Sequence, residues 1–129
     1  MDKHQLLYYK GTSLCVYIAV EVDRLTDEIT APRPRVKVGI SGEIGKRRRA
    51  LRHQYGVETI YEIPCNKGNA CMIEKECILW LANMPTANLA FGEETFYIDK
   101  ELVPAIVSIF PHLVTILEAK YPKKSCPFL

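Results

Sequence analysis

Two runs in which apolar, mostly β-branched side chains recur at every second position constrain this chain more than any other feature. Residues 14–22 (LCVYIAVEV) put Val16, Ile18, Val20 and Val22 on one face of an extended strand, and residues 35–40 (RVKVGI) do the same with Val36, Val38 and Ile40. Side chains alternate between the two faces of a strand, so each run has an apolar face to bury. The opposite faces carry Tyr17 in the first run and Lys37 and Gly39 in the second. If the strands pair as a hairpin with their valines on one core, Tyr17, Lys37 and Gly39 emerge together on the far side. That is a polar patch with room for a ligand at the glycine.

Ser41 and Gly42 then form a turn, with Ser41 expected to cap a helix over about 43–55. Ile44, Leu51 and Tyr55 make its buried stripe, Arg47 and Arg48 border the stripe on either side, and Lys46 and Arg49 point to solvent. An arginine at such an edge can lay its stem on the sheet and present its head beside it. A strand over 57–63 stops at Pro64, and 66–69 is a turn. A second helix over 70–84 turns Ile73, Cys77, Trp80 and Met84 inward. Glu74 and Glu76 fall on its flanks, where periodicity alone makes them surface carboxylates. Past Pro85, residues 95–98 are extended, and Asp99 is expected to N-cap a helix through Leu102 and Ile106, with Pro104 in its first turn. Pro111 should kink or restart that helix, and 113–119 complete it.

With 129 residues, 48% of them hydrophobic, the chain can build one core and not two ordinary domains. The expectation is a single domain over 1–129, with a core at 14–110 and a C-terminal helical extension at 111–129. Its class is α+β, a small three-stranded, mainly antiparallel sheet flanked by helices. Lys and Arg number 17 against 15 acidic residues, and the resulting +2 is too small to indicate nucleic acid by itself. What matters is the clustering of Lys46, Arg47, Arg48, Arg49, Arg52 and His53. Five cysteines, Cys15, Cys65, Cys71, Cys77 and Cys126, contain no CxxC pair. Free thiols are expected, Cys15 and Cys77 as small buried hydrophobes, and Cys65, Cys71 and Cys77 lack a common zinc spacing. His4, His53 and His112 show no metal-ligand spacing either. Residues 1–5 lead into no signal-like apolar run, and no stretch is read as approaching the roughly 18 apolar residues of a membrane span. A soluble, intracellular (cytoplasmic) protein with no membrane partner is expected.

A strand with a central tyrosine (Cys15-Val16-Tyr17), a second ending in glycine (Lys37-Val38-Gly39), Arg47 on the next helix and a glutamate in the later "MIEKEC" helix together resemble the GIY-YIG nuclease superfamily. "VKVGIS", the doubled arginines before Leu51 and "GEETFYID" before a helix look most like its phage and microbial branch, in which lysine often stands in the second motif. The likeness covers about 14–110, and order and spacing carry it. Cys15 and Val16 replace a glycine and an isoleucine at packing positions, and Lys37 replaces the second tyrosine. Leu51 stands where some members have histidine. A downstream asparagine found in many members falls at Asn83 or Asn88.

The resemblance implies a metal-dependent endonuclease that hydrolyses phosphodiester bonds in DNA, with RNA left open, by nicking or cleavage, using Mg2+ or Mn2+. It selects Glu74 as the metal-binding carboxylate, with Glu76 as the alternative. Arg47 offers a planar donor fork to phosphate oxygens. Tyr17 would position or deprotonate the attacking water, and Lys37 would help it or contact the phosphate. Lys46, Arg48, Arg49 and Arg52 make up the expected nucleic-acid-binding surface. One such site cuts one strand, so double-strand cleavage needs a homodimer or two visits, and target choice needs dimerisation, a partner protein or the 23–34 loop. Two other readings stand beside it. One is a catalytically impaired nucleic-acid-binding or regulatory module in which Lys37 has cost the reaction. The other is a protein-interaction domain using an apolar helix at 103–117.

Overall fold

The computed structural model describes residues 14–64, 69–92 and 94–122, without the side chains of Tyr55 and Phe91. His4, Cys65, Cys126 and the expected turn at 66–68 lie outside them. The two alternating runs form β1 (Cys15–Glu21) and β2 (Arg35–Ser41). They pair antiparallel, with Tyr17 opposite Gly39, Ile18 opposite Val38 and Ala19 opposite Lys37. The expected hairpin face is therefore present, with Tyr17, Gly39 and Lys37 on one side and the valines on the other.

Helix α1 (Ile44–Tyr55) follows, ends at Gly56 in the left-handed conformation (φ 67°), and leads directly into β3 (Val57–Pro64). Only a residue tolerant of positive φ turns the chain this sharply. Then come α2 (Ala70–Ala82), β4 (Asn88–Phe91), β5 (Thr95–Tyr97), a single 3-10 turn (Lys100–Leu102) and α3 (Val103–Lys120).

Among the described residues the sheet has five strands rather than the expected three, in the order β3-β1-β2-β5-β4 with every pairing antiparallel. The extra pair is short, and Arg33 pins it. Its guanidinium ion-pairs with Asp99 (3.0 Å), donates to Asn88 Oδ1 (2.9 Å), and bonds the carbonyl of Thr86. Asp99 accordingly makes no side-chain cap; its carboxylate takes Arg33 and the hydroxyl of Thr86 (2.8 Å) instead.

Helices cover both faces. On one, Val16, Ile18, Val20, Val36, Val38 and Ile40 meet Ile73, Cys77 and Leu81 of α2 and Ile106, Phe110, Val114 and Leu117 of α3 in one buried cluster. Each such side chain contributes about 1.5–3 kcal/mol on burial, so this face supplies most of the driving force. On the other, α1 lays Leu51 and the half-buried Ile44 over Tyr17, Ala19 and Val57. α3 is one helix running through Pro111, not two pieces, so the expected boundary between 110 and 111 falls inside it. With an 18-residue window of mean hydropathy 1.8 inside Lys100–Lys120, it is also apolar enough to cross a membrane by length and composition. The sequence reading missed that property because polar Ser108, His112 and Thr115 interrupt the run. In the fold, its Val103, Ile106, Phe110, Val114 and Leu117 stripe closes the core.

Candidate functional site

The site is organised by the close approach of Tyr17 to Gly39. A Cβ on Gly39 would lie 2.6 Å from Tyr17 Cζ and nearer still to the hydroxyl. The hydroxyl end of the phenol thus occupies the space a side chain at residue 39 would need, which only glycine leaves open. Tyr17 is only 1% exposed, enclosed by α1.

Three charged groups act on that phenol. Burial first, and Glu94 and Glu74 after it, push the Tyr17 hydroxyl up to about 12, while Arg47 pulls in the opposite direction. Burial thus favours the protonated O–H form of Tyr17 at neutral pH. Lys37, expected to help Tyr17 or to contact the phosphate, is engaged by a carboxylate. Lys37 Nζ sits 2.6 Å from Glu94 Oε2, so its charge is already balanced.

Arg47 reaches the site from α1, half-buried, and among the described residues it forms no ion pair. Glu74 comes from α2 and is 5% exposed, not the surface carboxylate that periodicity suggested. Glu76 goes elsewhere: its Oε1 accepts from the Tyr121 hydroxyl at 2.9 Å, tying α2 to the end of α3. Of the two carboxylates left open by the sequence, Glu74 is the one whose charge Tyr17 feels.

The basic cluster on α1 is divided by the fold. Arg52 pairs with Glu58 (2.5 Å) and Asp27 (2.6 Å), and Arg48 with Glu58 (3.7 Å) and Glu62 (3.8 Å). These two arginines, expected on a nucleic-acid-binding surface, fasten α1 to β3 and to the β1–β2 connection. Arg24 adds to that fastening by donating to the carbonyl of His53 (3.0 Å), which holds the 23–34 loop against α1. Lys46 makes only a loose, exposed pair with Glu43 (3.8 Å), and Arg49 is exposed. Arg47 and Arg49, together with the weakly held Lys46, are the α1 cations whose charge is not taken up by β3.

Neither candidate asparagine joins the site. Asn83 caps α2 and donates to the carbonyl of Leu79 (2.7 Å), and Asn88 accepts from Arg33. Ser41 Oγ accepts from the Glu43 N–H (3.1 Å) just before α1, satisfying the turn rather than an N–H inside the helix. The site residue that sequence reasoning missed is Glu94. Its only signal was its place before Thr95, and that becomes informative once Thr95 is known to stand opposite Lys37.

A buried phenol lying against Gly39 is thus acted on by Arg47, Glu74 and Glu94, with Lys37 paired to the last of these. Among the described residues no group of three or more His, Cys, Asp or Glu forms a metal cage. Glu74 is the kind of oxygen donor that Mg2+ accepts singly, with waters and substrate oxygens completing its shell. No family model, curated protein or solved structure matches this chain.

Proposed function

We propose that this chain is a metal-dependent endonuclease of the GIY-YIG type, hydrolysing phosphodiester bonds in DNA. The observation that carries the reading is that Arg47 and Glu74, from two helices far apart in sequence, both act on the buried Tyr17 phenol, which itself lies against Gly39. A merely structural tyrosine under a helix does not require an unpaired arginine and a buried carboxylate beside it.

In hydrolysis a water oxygen bonds to phosphorus, the P–O3′ bond breaks, the water's proton leaves to solvent, and the 3′ oxygen gains a proton. Arg47 spans two phosphoryl oxygens with its fork and offsets the charge that gathers on them. Glu74 would hold the Mg2+ or Mn2+, which when bound would supply Lewis-acid chemistry. Tyr17, protonated, orients the reacting groups through its hydroxyl. Lys37 supplies a second cation to the same face once it is drawn from Glu94. Substrate approaches along Arg47, Arg49 and Lys46, and not along Arg48 and Arg52.

Supercoiled-plasmid nicking in magnesium, manganese or EDTA tests this, with Arg47→Ala and Tyr17→Phe as folded controls and RNA as a second substrate. Metal-dependent nicking lost in Arg47→Ala is expected. A folded protein that cuts neither DNA nor RNA in either metal sinks the reading.

A second reading has its own observation. Tyr17 is buried and un-ionised, and Lys37 is occupied by Glu94, which is what a binding or regulatory module that had lost the reaction would show. That module would bind nucleic acid without turnover.

A further inference from the structure

Arg47, Glu74 and Glu94 act on the phenol, and Lys37 on the same strand face is paired with Glu94, so the formal charges are two cations and two carboxylates. A balanced site does not attract a polyanion; it does so only when one carboxylate is displaced or neutralised. The two carboxylates differ in their freedom to move. Glu74 is 5% exposed within α2. Glu94 has a side chain 41% exposed, in the turn just before β5, while its backbone carbonyl accepts from the Val38 N–H at 3.3 Å. Its main chain is therefore fixed to β2, and its carboxylate can leave Lys37 for water at small cost, as partly exposed ion pairs do. Lys37, 19% exposed, has far less freedom to follow it. A carboxylate seated on a lysine also presents the same anionic pair of oxygens that a phosphodiester presents.

We propose that Glu94 is a specificity-determining residue, an internal carboxylate that holds Lys37 in the resting protein and that a nucleic-acid phosphate displaces on binding. The inference rests on the nuclease reading only in taking a nucleic-acid phosphate as the ligand of the Lys37–Gly39 face; it does not require cleavage. A small carboxylate gains nothing by replacing Glu94, because it brings only the contact already made. A phosphate on a polymer brings Arg47 and the α1 cations with it. Glu94 thus discriminates by competition, lowering affinity for every anion and leaving only the polyanion able to overcome the loss.

The test is fluorescence anisotropy of a labelled DNA duplex and a labelled RNA strand in EDTA, between about 50 and 200 mM salt. The unaltered protein is compared with Glu94→Gln, Glu94→Ala, Lys37→Gln and the Glu94→Gln/Lys37→Gln pair, each checked for folding by circular dichroism. Both Glu94 variants are expected to bind about five- to tenfold tighter. Their plot of log affinity against log salt should steepen by about 0.9, one added phosphate contact on duplex DNA. Adding Lys37→Gln should cancel the gain. The proposal is overturned if folded Glu94 variants bind no tighter, if the gain survives without Lys37, or if neither nucleic acid binds. Cleavage in magnesium, measured alongside, separates the two claims. Tighter binding without cutting removes the nuclease and keeps Glu94's role; cutting with unchanged affinity does the reverse.

Discussion

Tyr17 and any side chain at residue 39 compete for the same space, so the glycine is fixed by contact and not by turn geometry. Gly39→Ala forces the ring or the strand to shift, and overpacking of this kind costs about 1–3 kcal/mol, read as a lower urea midpoint. The phenol's chemistry gives a second prediction. Its folded pKa of about 12 lies above the ordinary 10, so below pH 10 both states hold the proton and stability does not change on its account. Between pH 10 and 12 the unfolded chain ionises first, binds fewer protons than the folded one, and the protein loses about 2–3 kcal/mol. Urea denaturation at neutral pH and above pH 10 should show Tyr17→Phe losing less stability than the unaltered protein. Parallel losses would show that the hydroxyl is not held neutral by its surroundings. At this scale the sequence was informative wherever alternation decides the face: Tyr17, Lys37 and Gly39 follow from period two alone. Burial of Glu74 was not legible, because helical periodicity fixes a direction and says nothing of what lies there.

Among the elements, α1 shows best how a charge run misleads. Six basic residues cluster on or beside one helix turn or two, yet Arg48 and Arg52, four apart, face Glu58 and Glu62 on the strand that follows. Arg52→Ala should therefore lower the melting temperature and leave nucleic-acid affinity nearly unchanged. Arg47→Ala should do the opposite, keeping the melting temperature while weakening DNA binding about tenfold. Thermal melts with anisotropy decide it; a reversed pattern would mean that the β3 face, and not the Tyr17 face, meets the ligand. The β4–β5 pair was only half legible. Residues 95–98 read as extended, but β4 is only four residues long and is held by the non-local Arg33 as well as by its hairpin partner β5. Arg33→Ala should loosen that hairpin alone, with faster amide exchange in β4 and β5 than in β1.

Across the described residues, the α+β class, the β1–β2 pairing and the helices α1, α2 and α3 were readable, since long alternating runs and apolar stripes fix them. The sheet's width and the continuity of α3 were not, because the first depends on a four-residue strand and the second on a proline the helix absorbs. The architecture brings one of the two candidate glutamates of α2 to the phenol and sends the other to Tyr121. That division makes the most direct measurement possible. Single-turnover cleavage of a labelled DNA duplex in magnesium should fall about a hundredfold or more in Glu74→Gln, as for loss of a group that stabilises developing charge, and stay within a few-fold in Glu76→Gln. Equal rates for the two variants, or loss confined to Glu76→Gln, would contradict the assignment of the Tyr17–Gly39 face as the centre of the chemistry.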